Sequence, residues 1–358
     1  MQFSSSYLWA GVLVMGLSIF GLTGCGDQIS TSEITGAISG SPASASVQNI
    51  NEALQTVAEI PLPGGSSRLD YESFNPKTGL LFIAHLGESS VIVFNAKANK
   101  VTGEIKGLGG VHGVLAVPEL NRVFATATSD HQLAVIDENS LKIIARIPAG
   151  NYPDGLAYDP VNHKIYVSDE SGESEPVIDT TNNKALNSIS IGGDAGNTQY
   201  DPITQHIFVN AQSKNELVEI DPKSDQVLAR YQLAGCKNNH GLQLDSAQRL
   251  AFVACSDNAK LLVLDMQDRM KVISVQSIGA DPDVLALDSE KNWLFVACES
   301  GTVSIFNVTR PLIQKLAEGF LANGAHIVAV NPGNHQLFFP LEAVNGKPVL
   351  RIMQQRSP

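Results

Sequence analysis

Seven places in the chain, 42 to 44 residues apart, hold Asp70, His112, Asp154, Gly196, His240, Asp283 and His326. Three carboxylates and three imidazoles thus recur at one phase of a long period. Such a set supports mutual hydrogen bonding, charge-assisted capture of a small ligand, or coordination of a divalent metal by neutral imidazole and carboxylate. His240, Asp283 and His326 form the best metal trio, with Asp70 next in the series. A second set lies fifteen residues further on, at His85, Ala127, Asp169, Ala211, Cys255, Cys298 and Leu341, and adds His85 and Asp169 as polar candidates. Asn197 and Asn239, each adjacent to a place in the first set, add amides. No HExxH motif and no closely spaced His/Cys run accompanies them.

A period of this length needs a repeated structural unit to place its residues on one surface. Turn markers recur at Asn75-Pro76, Val117-Pro118, Asp159-Pro160, Asp201-Pro202, Asp245-Ser246, Asp288-Ser289 and Asn331-Pro332, with spacings of 42, 42, 42, 44, 43 and 43. Short apolar segments flank each marker, GLAY before and KIYVS after in the third copy, as in a β-hairpin. A third alternating segment ends in Asn95, Asp137, Asp179, Asp221, Asp265 or Asn307, whose short side chains can close an Asx turn into a fourth strand. Four antiparallel strands in seven copies predict an all-β, seven-bladed β-propeller over residues 52–358. Leu54 to Pro61 reads as a fourth strand lacking its first three, and the last copy has three strands lacking a fourth. The N-terminal strand is therefore expected to close the last blade, removing an open sheet edge.

Lys164 to Gly193, KIYVSDESGESEPVIDTTNNKALNSISIGG, resembles the YVTN repeat of YncE-type bacterial propellers, and His206 to Gly235 is similar. The resemblance covers essentially the whole folded part and implies fold rather than activity. WD dipeptides and Kelch double glycines are absent. Pro176 stands in a third strand, where it removes a ladder donor, and Met353 replaces the usual Asp or Asn of the last copy.

In a propeller the first set of residues begins each innermost strand and rings one mouth of the central channel. A mouth about 12 to 14 Å wide, against metal–ligand bonds of about 2.0 to 2.2 Å, lets one ion use two or three adjacent side chains at most. The neighbouring carboxylates are expected to raise the imidazole pKa values. The loops Gly150 to Asp154, Gly235 to His240 and Gly279 to Asp283 converge on this face. Cys236 and Cys255 fall in one blade and are expected to form a disulfide. Cys255 and Cys298 sit in adjacent blades about 10 Å apart, beyond the limit of about 7 Å for bridged Cα atoms, so Cys298 is expected to be free.

The 358 residues carry a net charge of −12, which disfavours nucleic acid as a partner. Tyr7 to Thr23 is an apolar run too short to span a bilayer comfortably. Leu22-Thr23-Gly24-Cys25 after it resembles the bacterial lipobox, which implies a signal peptide over 1–24 and lipidation of Cys25. The Ser-, Thr-, Ala- and Gly-rich stretch over 25–51 reads as a flexible tether of about 25 to 30 Å. These readings point to an exported protein, lipid-anchored to the bacterial membrane on its periplasmic or extracellular face, touching the membrane through that anchor only. It is expected to be a monomeric binding or scaffold module for an envelope protein, peptide or small molecule, with no cofactor unless a divalent metal. The alternative is a metal-dependent hydrolase, similar to the lactonases of six-bladed propellers, using Asp70, Asp154 and Asp283 with Asn197 or Asn239. No nucleophile motif favours an enzyme, and the absence of CxxCH excludes covalent c-type haem.

Overall fold

The computed structural model describes residues 47–356. Cys25, the apolar run before it and nearly all of the expected tether lie outside the described residues. Among the described residues no helix is long and apolar enough to cross a membrane.

The innermost strands are Glu72–Asn75, Val111–Val117, Pro153–Asp159, Ala195–Asp201, Asn239–Asp245, Pro282–Asp288 and Ala329–Asn331. Each heads an antiparallel blade that steps outward in chain order, and neighbouring innermost strands touch all the way round until Ala329–Asn331 meets Glu72–Asn75. This closed ring is a seven-bladed propeller. The Asx turns form where the spacing placed them: Asn95 Oδ1 accepts the Ala98 N–H at 2.8 Å, and Asp137 Oδ1 accepts the Ser140 N–H at 2.8 Å. Hydrophobic cores fill the spaces between blades, each built around a recurring aromatic of the second strand: Phe82, Phe124, Tyr166, Phe208, Phe252, Phe295 and Phe338, all buried.

The ring closes through the N-terminus as expected. Leu54–Pro61 pairs antiparallel with Lys347–Gln355, in register from Leu54 opposite Gln355 to Pro61 opposite Val349. The folded body nevertheless begins earlier than the sequence suggested. Gln48–Asn49 adds a fifth, parallel strand to blade six beside Gln314–Phe320, and the single-turn helix Ile50–Ala53 follows. Ile50 is fully buried against Gly319, where a Cβ would approach its side chain to 2.8 Å, so an apolar anchor draws the end of the expected tether into the domain. Pro176 stays within its strand, opposite Ser188.

Cys236 and Cys255 are bridged, with their Cα atoms 5.4 Å apart, and Cys298 is a buried free thiol. The two bonded residues belong to blade five, as the spacing required. Burial pushes the Cys298 thiol up to about 12, so it remains protonated and unreactive.

Candidate functional site

A backbone irregularity aims the rim residues inward. In blades two to six the innermost strand slips register against the second strand, and the residues inside the slip include His112, Asp154, Gly196, His240 and Asp283. A bulge bends the strand and re-directs its side chains. In blades one and seven the strand starts later, so Asp70 and His326 precede it. Glycine follows the rim position at Gly113 and Gly241 because the next blade comes close. A Cβ there would lie 2.1 Å from the Asp154 carbonyl or 2.5 Å from the Asp283 carbonyl.

The corresponding position in blade one is Tyr71, and it determines the shape of the site. Its hydroxyl lies 3.1 Å from His240 Nε2 in blade five, 3.0 Å from Asn197 Nδ2 in blade four and 3.5 Å from Asp154 Oδ2 in blade three. Tyr71 therefore crosses the axis and divides the channel. On the rim side is a cup of about 370 Å³ lined by residues including Arg68, Asp70, His112, Tyr152, Asp154 and His240. On the other side is a cavity of about 540 Å³ with many aliphatic residues, among them Val114, Leu156, Leu242, Val284 and Val328. Tyr71 borders both.

Hydrogen bonding around His240 orients the floor of the cup. Gln212 donates from Nε2 to Glu170 Oε1 at 3.2 Å, which leaves its Oε1 to accept from His240 Nδ1 at 3.1 Å. On its other side, His240 Nε2 faces both Tyr71 and Asp283 Oδ1, the latter at 3.2 Å. Burial alone would favour neutral imidazole, but the hydrogen bond and charge of Asp283, with Asp154 and Glu170 beyond, raise His240 to about 9. At neutral pH it is an imidazolium whose two N–H groups both have acceptors. Tyr71 then accepts from His240 and Asn197, leaving its own proton to point at Asp154.

The carboxylates diverge in behaviour. Burial, reinforced by Glu170 and Asp283 and opposed by His240, pushes Asp154 up to about 7. Burial together with the charges of Asp283 and Asp154 pushes Asp70 well above the usual carboxylate range. For Asp283, burial is outweighed by the hydrogen bond and charge of His240, with His326 and Arg68 adding, so its carboxyl is held below its ordinary value. His112 moves against expectation: burial lowers its pKa although the Gly110 carbonyl, 2.8 Å from Nδ1, favours the charged form. Desolvation there, with the Arg68 charge adding, exceeds the help of the Gly110 carbonyl and Asp283.

The structure gathers Asp70, His112, Asp154, His240, Asp283, His326 and Asn197 at the axis but draws the metal-competent set differently. Asp70, Asp283 and His326 each bring a ligand atom within 4.8 Å of the others. His240 is outside that set and is engaged by Tyr71, Gln212 and Asp283. His85 is fully buried, its Nε2 3.1 Å from Ser67 Oγ, and does not line the cup. Asp169 acts indirectly. Its Oδ1 accepts the N–H groups of Asn151 and Tyr152 at 2.8 and 2.7 Å, holding the loop from which Tyr152 reaches His112 Nε2 at 3.0 Å. Asn239 is buried between blades four and five, donating to Asn210 Oδ1 and the Glu216 carbonyl, so it cannot serve as an axial ligand. Sequence reasoning missed Arg68, Tyr71, Tyr152 and Glu170. Tyr71 carried a signal, since the equivalent places hold Gly113, Gly155, Asn197, Gly241, Val284 and Ile327 and only this one is aromatic.

No family model matches the chain, and no curated protein matches it in sequence. Among solved structures, a chain of the Kuenenia stuttgartiensis hydrazine synthase superposes with a TM-score of 0.69 at 16% identity, over 83% of this chain and 97% of that one. Likeness at that identity supports the propeller fold and nothing finer.

Proposed function

We propose that the protein is a binding module of the YVTN/YncE kind, held at the bacterial cell envelope by a lipid on Cys25, and that it takes a small polar ligand into the axial cup. The observation that carries this reading is the cup with a floor: Tyr71 closes the channel beneath a chamber of about 370 Å³, a size suited to a small molecule. Its wall offers a guanidinium from Arg68, the His240 imidazolium, the hydroxyl of Tyr152, and the carboxyls of Asp154 and Glu170. A ligand with both donors and acceptors would match that mixture. The Cys236–Cys255 bridge supports an oxidising compartment, and the LTGC sequence after an apolar run supports the anchor. If Cys25→Ala still partitions into detergent with the same acyl mass, the anchor is wrong.

The binding claim is tested by thermal shift against a panel of amino acids, hydroxy acids, polyamines and sugars. At least one compound should raise the melting temperature of the wild type by several degrees. That gain should disappear in Glu170→Gln combined with Tyr152→Phe, two changes at the wall that remove no packing. A panel without effect, or a gain untouched by the variants, contradicts the reading.

A further inference from the structure

We propose that Asp70, Asp283 and His326 bind a first-row divalent cation, between Mn²⁺ and Zn²⁺, in the wall of the cup where blades six, seven and one meet. This deepens the binding reading by naming an ion as part of what the cup holds.

Three observations converge on that point. One ligand atom from each residue lies within 4.8 Å of the other two. All three side chains are buried: His326 is 0% exposed, Asp70 2% and Asp283 7%. Two polar atoms there, Asp70 Oδ2 and His326 Nε2, are buried without a hydrogen-bond partner among the described residues. A buried polar atom without a partner is costly to leave unpaired, so a native structure that keeps two of them together calls for an occupant.

The surroundings are those a metal ligand requires. The second ring nitrogen of His326, Nδ1, lies 3.0 Å from the Gly324 carbonyl, which can only accept, so in the neutral ring that a metal ligand requires Nδ1 carries the proton and Nε2 is left to the ion. Glu299 Oε2, 3.4 Å from Nδ1, supports the same tautomer. A donor bond from the far nitrogen to carbonyl or carboxylate is the usual way a metal-binding histidine is oriented. Asp283 divides its oxygens in the same sense: Oδ1 is 3.2 Å from His240, while Oδ2 stands 3.9 Å from His326 Nε2. Two carboxylates and an imidazole suit ions from manganese to zinc better than calcium, which prefers oxygen alone. Ligand atoms about a tetrahedral ion with bonds near 2.1 Å are roughly 3.4 Å apart, so the set needs to close by little more than about 1 Å.

Arg68 is the competing cation. Its Nε lies 3.7 Å from Asp70 Oδ2, and its Nη2 lies 4.0 Å from Asp283 Oδ2 and 2.7 Å from Glu299 Oε1. With a side chain 42% exposed and its strongest partner, Glu299, outside the set, it can yield its place without unfolding anything. This gives the test a sign that a merely structural role would not produce.

The full-length protein, stripped with chelator, is titrated with Mn²⁺ followed by electron paramagnetic resonance and with Zn²⁺ followed by calorimetry. One ion per chain is expected. Asp70→Asn and His326→Gln should each weaken binding at least tenfold, whereas Arg68→Gln should tighten it severalfold. His335→Gln controls for adventitious binding, since His335 also sits between carboxylates, Asp288 at 2.8 Å and Glu290 at 3.7 Å, and should leave the affinity unchanged. Circular dichroism confirms that each variant folds. No stoichiometric ion, unaltered affinity in both ligand variants, or weaker binding by Arg68→Gln overturns the proposal. The compound panel is repeated in chelator: a gain that survives there while no ion binds refutes the metal site alone, and loss of both refutes the cup as well.

Discussion

Replacing Asp154 by Asn should make the protein more stable at neutral and alkaline pH, an unusual result for a polar residue at a candidate site. Asp154 is 4% exposed and its carboxyl is pushed up to about 7 from an ordinary value of 3.8. Between those two values the unfolded chain has released the proton and the native state has not. The native state binds more protons in that window, so its stability falls as pH rises from about 4 to about 7 and stays reduced above. A displacement of about three pH units corresponds to at most about 4 kcal/mol. Asn keeps the shape and can still accept from Tyr71, but it has no proton to lose. Near pH 4 the two proteins should melt within a degree or two of each other. At pH 8 the Asn variant should melt higher by up to about 6 °C, the shift that about 4 kcal/mol produces in a domain of this size. Differential scanning calorimetry from pH 4 to 8 measures it. Parallel curves for the two proteins, or a variant less stable at pH 8, would refute the reasoning that burial controls this carboxyl.

Three further outcomes follow from the geometry. Tyr71→Phe removes the hydroxyl shared by His240, Asn197 and Asp154, and chemical denaturation should show a loss of about 1 to 3 kcal/mol; an unchanged midpoint would mean that the crossing network contributes nothing. Cys236→Ala with Cys255→Ala opens a cross-link spanning 19 residues and should cost roughly 3 kcal/mol in the same assay, whereas peptide mapping that finds Cys298 bridged would break the blade assignment. A chain beginning at Leu62 loses the strand Leu54–Pro61 and the buried side chains of Ile50 and Leu54, worth about 3 to 6 kcal/mol together. It should melt lower and self-associate through the freed edge of blade seven; an identical melting curve would contradict closure by the N-terminus.

The blade plan was readable in the chain because each blade is a local unit. Its hairpins and Asx turns are written within about 42 residues, and the same markers return seven times. The rim column was readable for the same reason, since equal phase in equal blades means one circle. What the period could not convey depends on contacts between blades. His85 and Asn239 stand at the right phase, yet neighbouring segments enclose both, with Ser67 meeting His85 and Asn210 meeting Asn239. Tyr71 is one residue past the column in a single blade, so its path across the axis depends on the small residues that leave the centre open. The choice of Asp70 over His240 beside Asp283 and His326 is likewise tertiary, because Tyr71 and Gln212 reach His240 from blades one and four. Ile50 lay in a polar stretch too sparse in apolar residues to announce a strand and a helical turn.

The proposed binding site is the floored cup at the axial rim. A crystallographic screen with small polar fragments tests it most directly, because it reports position rather than affinity. Density is expected above Tyr71 in contact with His112, Tyr152, Asp154 or Arg68, recurring across unrelated fragments. Fragments that gather in the cavity beyond Tyr71 or on the outer strands, with the cup holding only solvent, would contradict it.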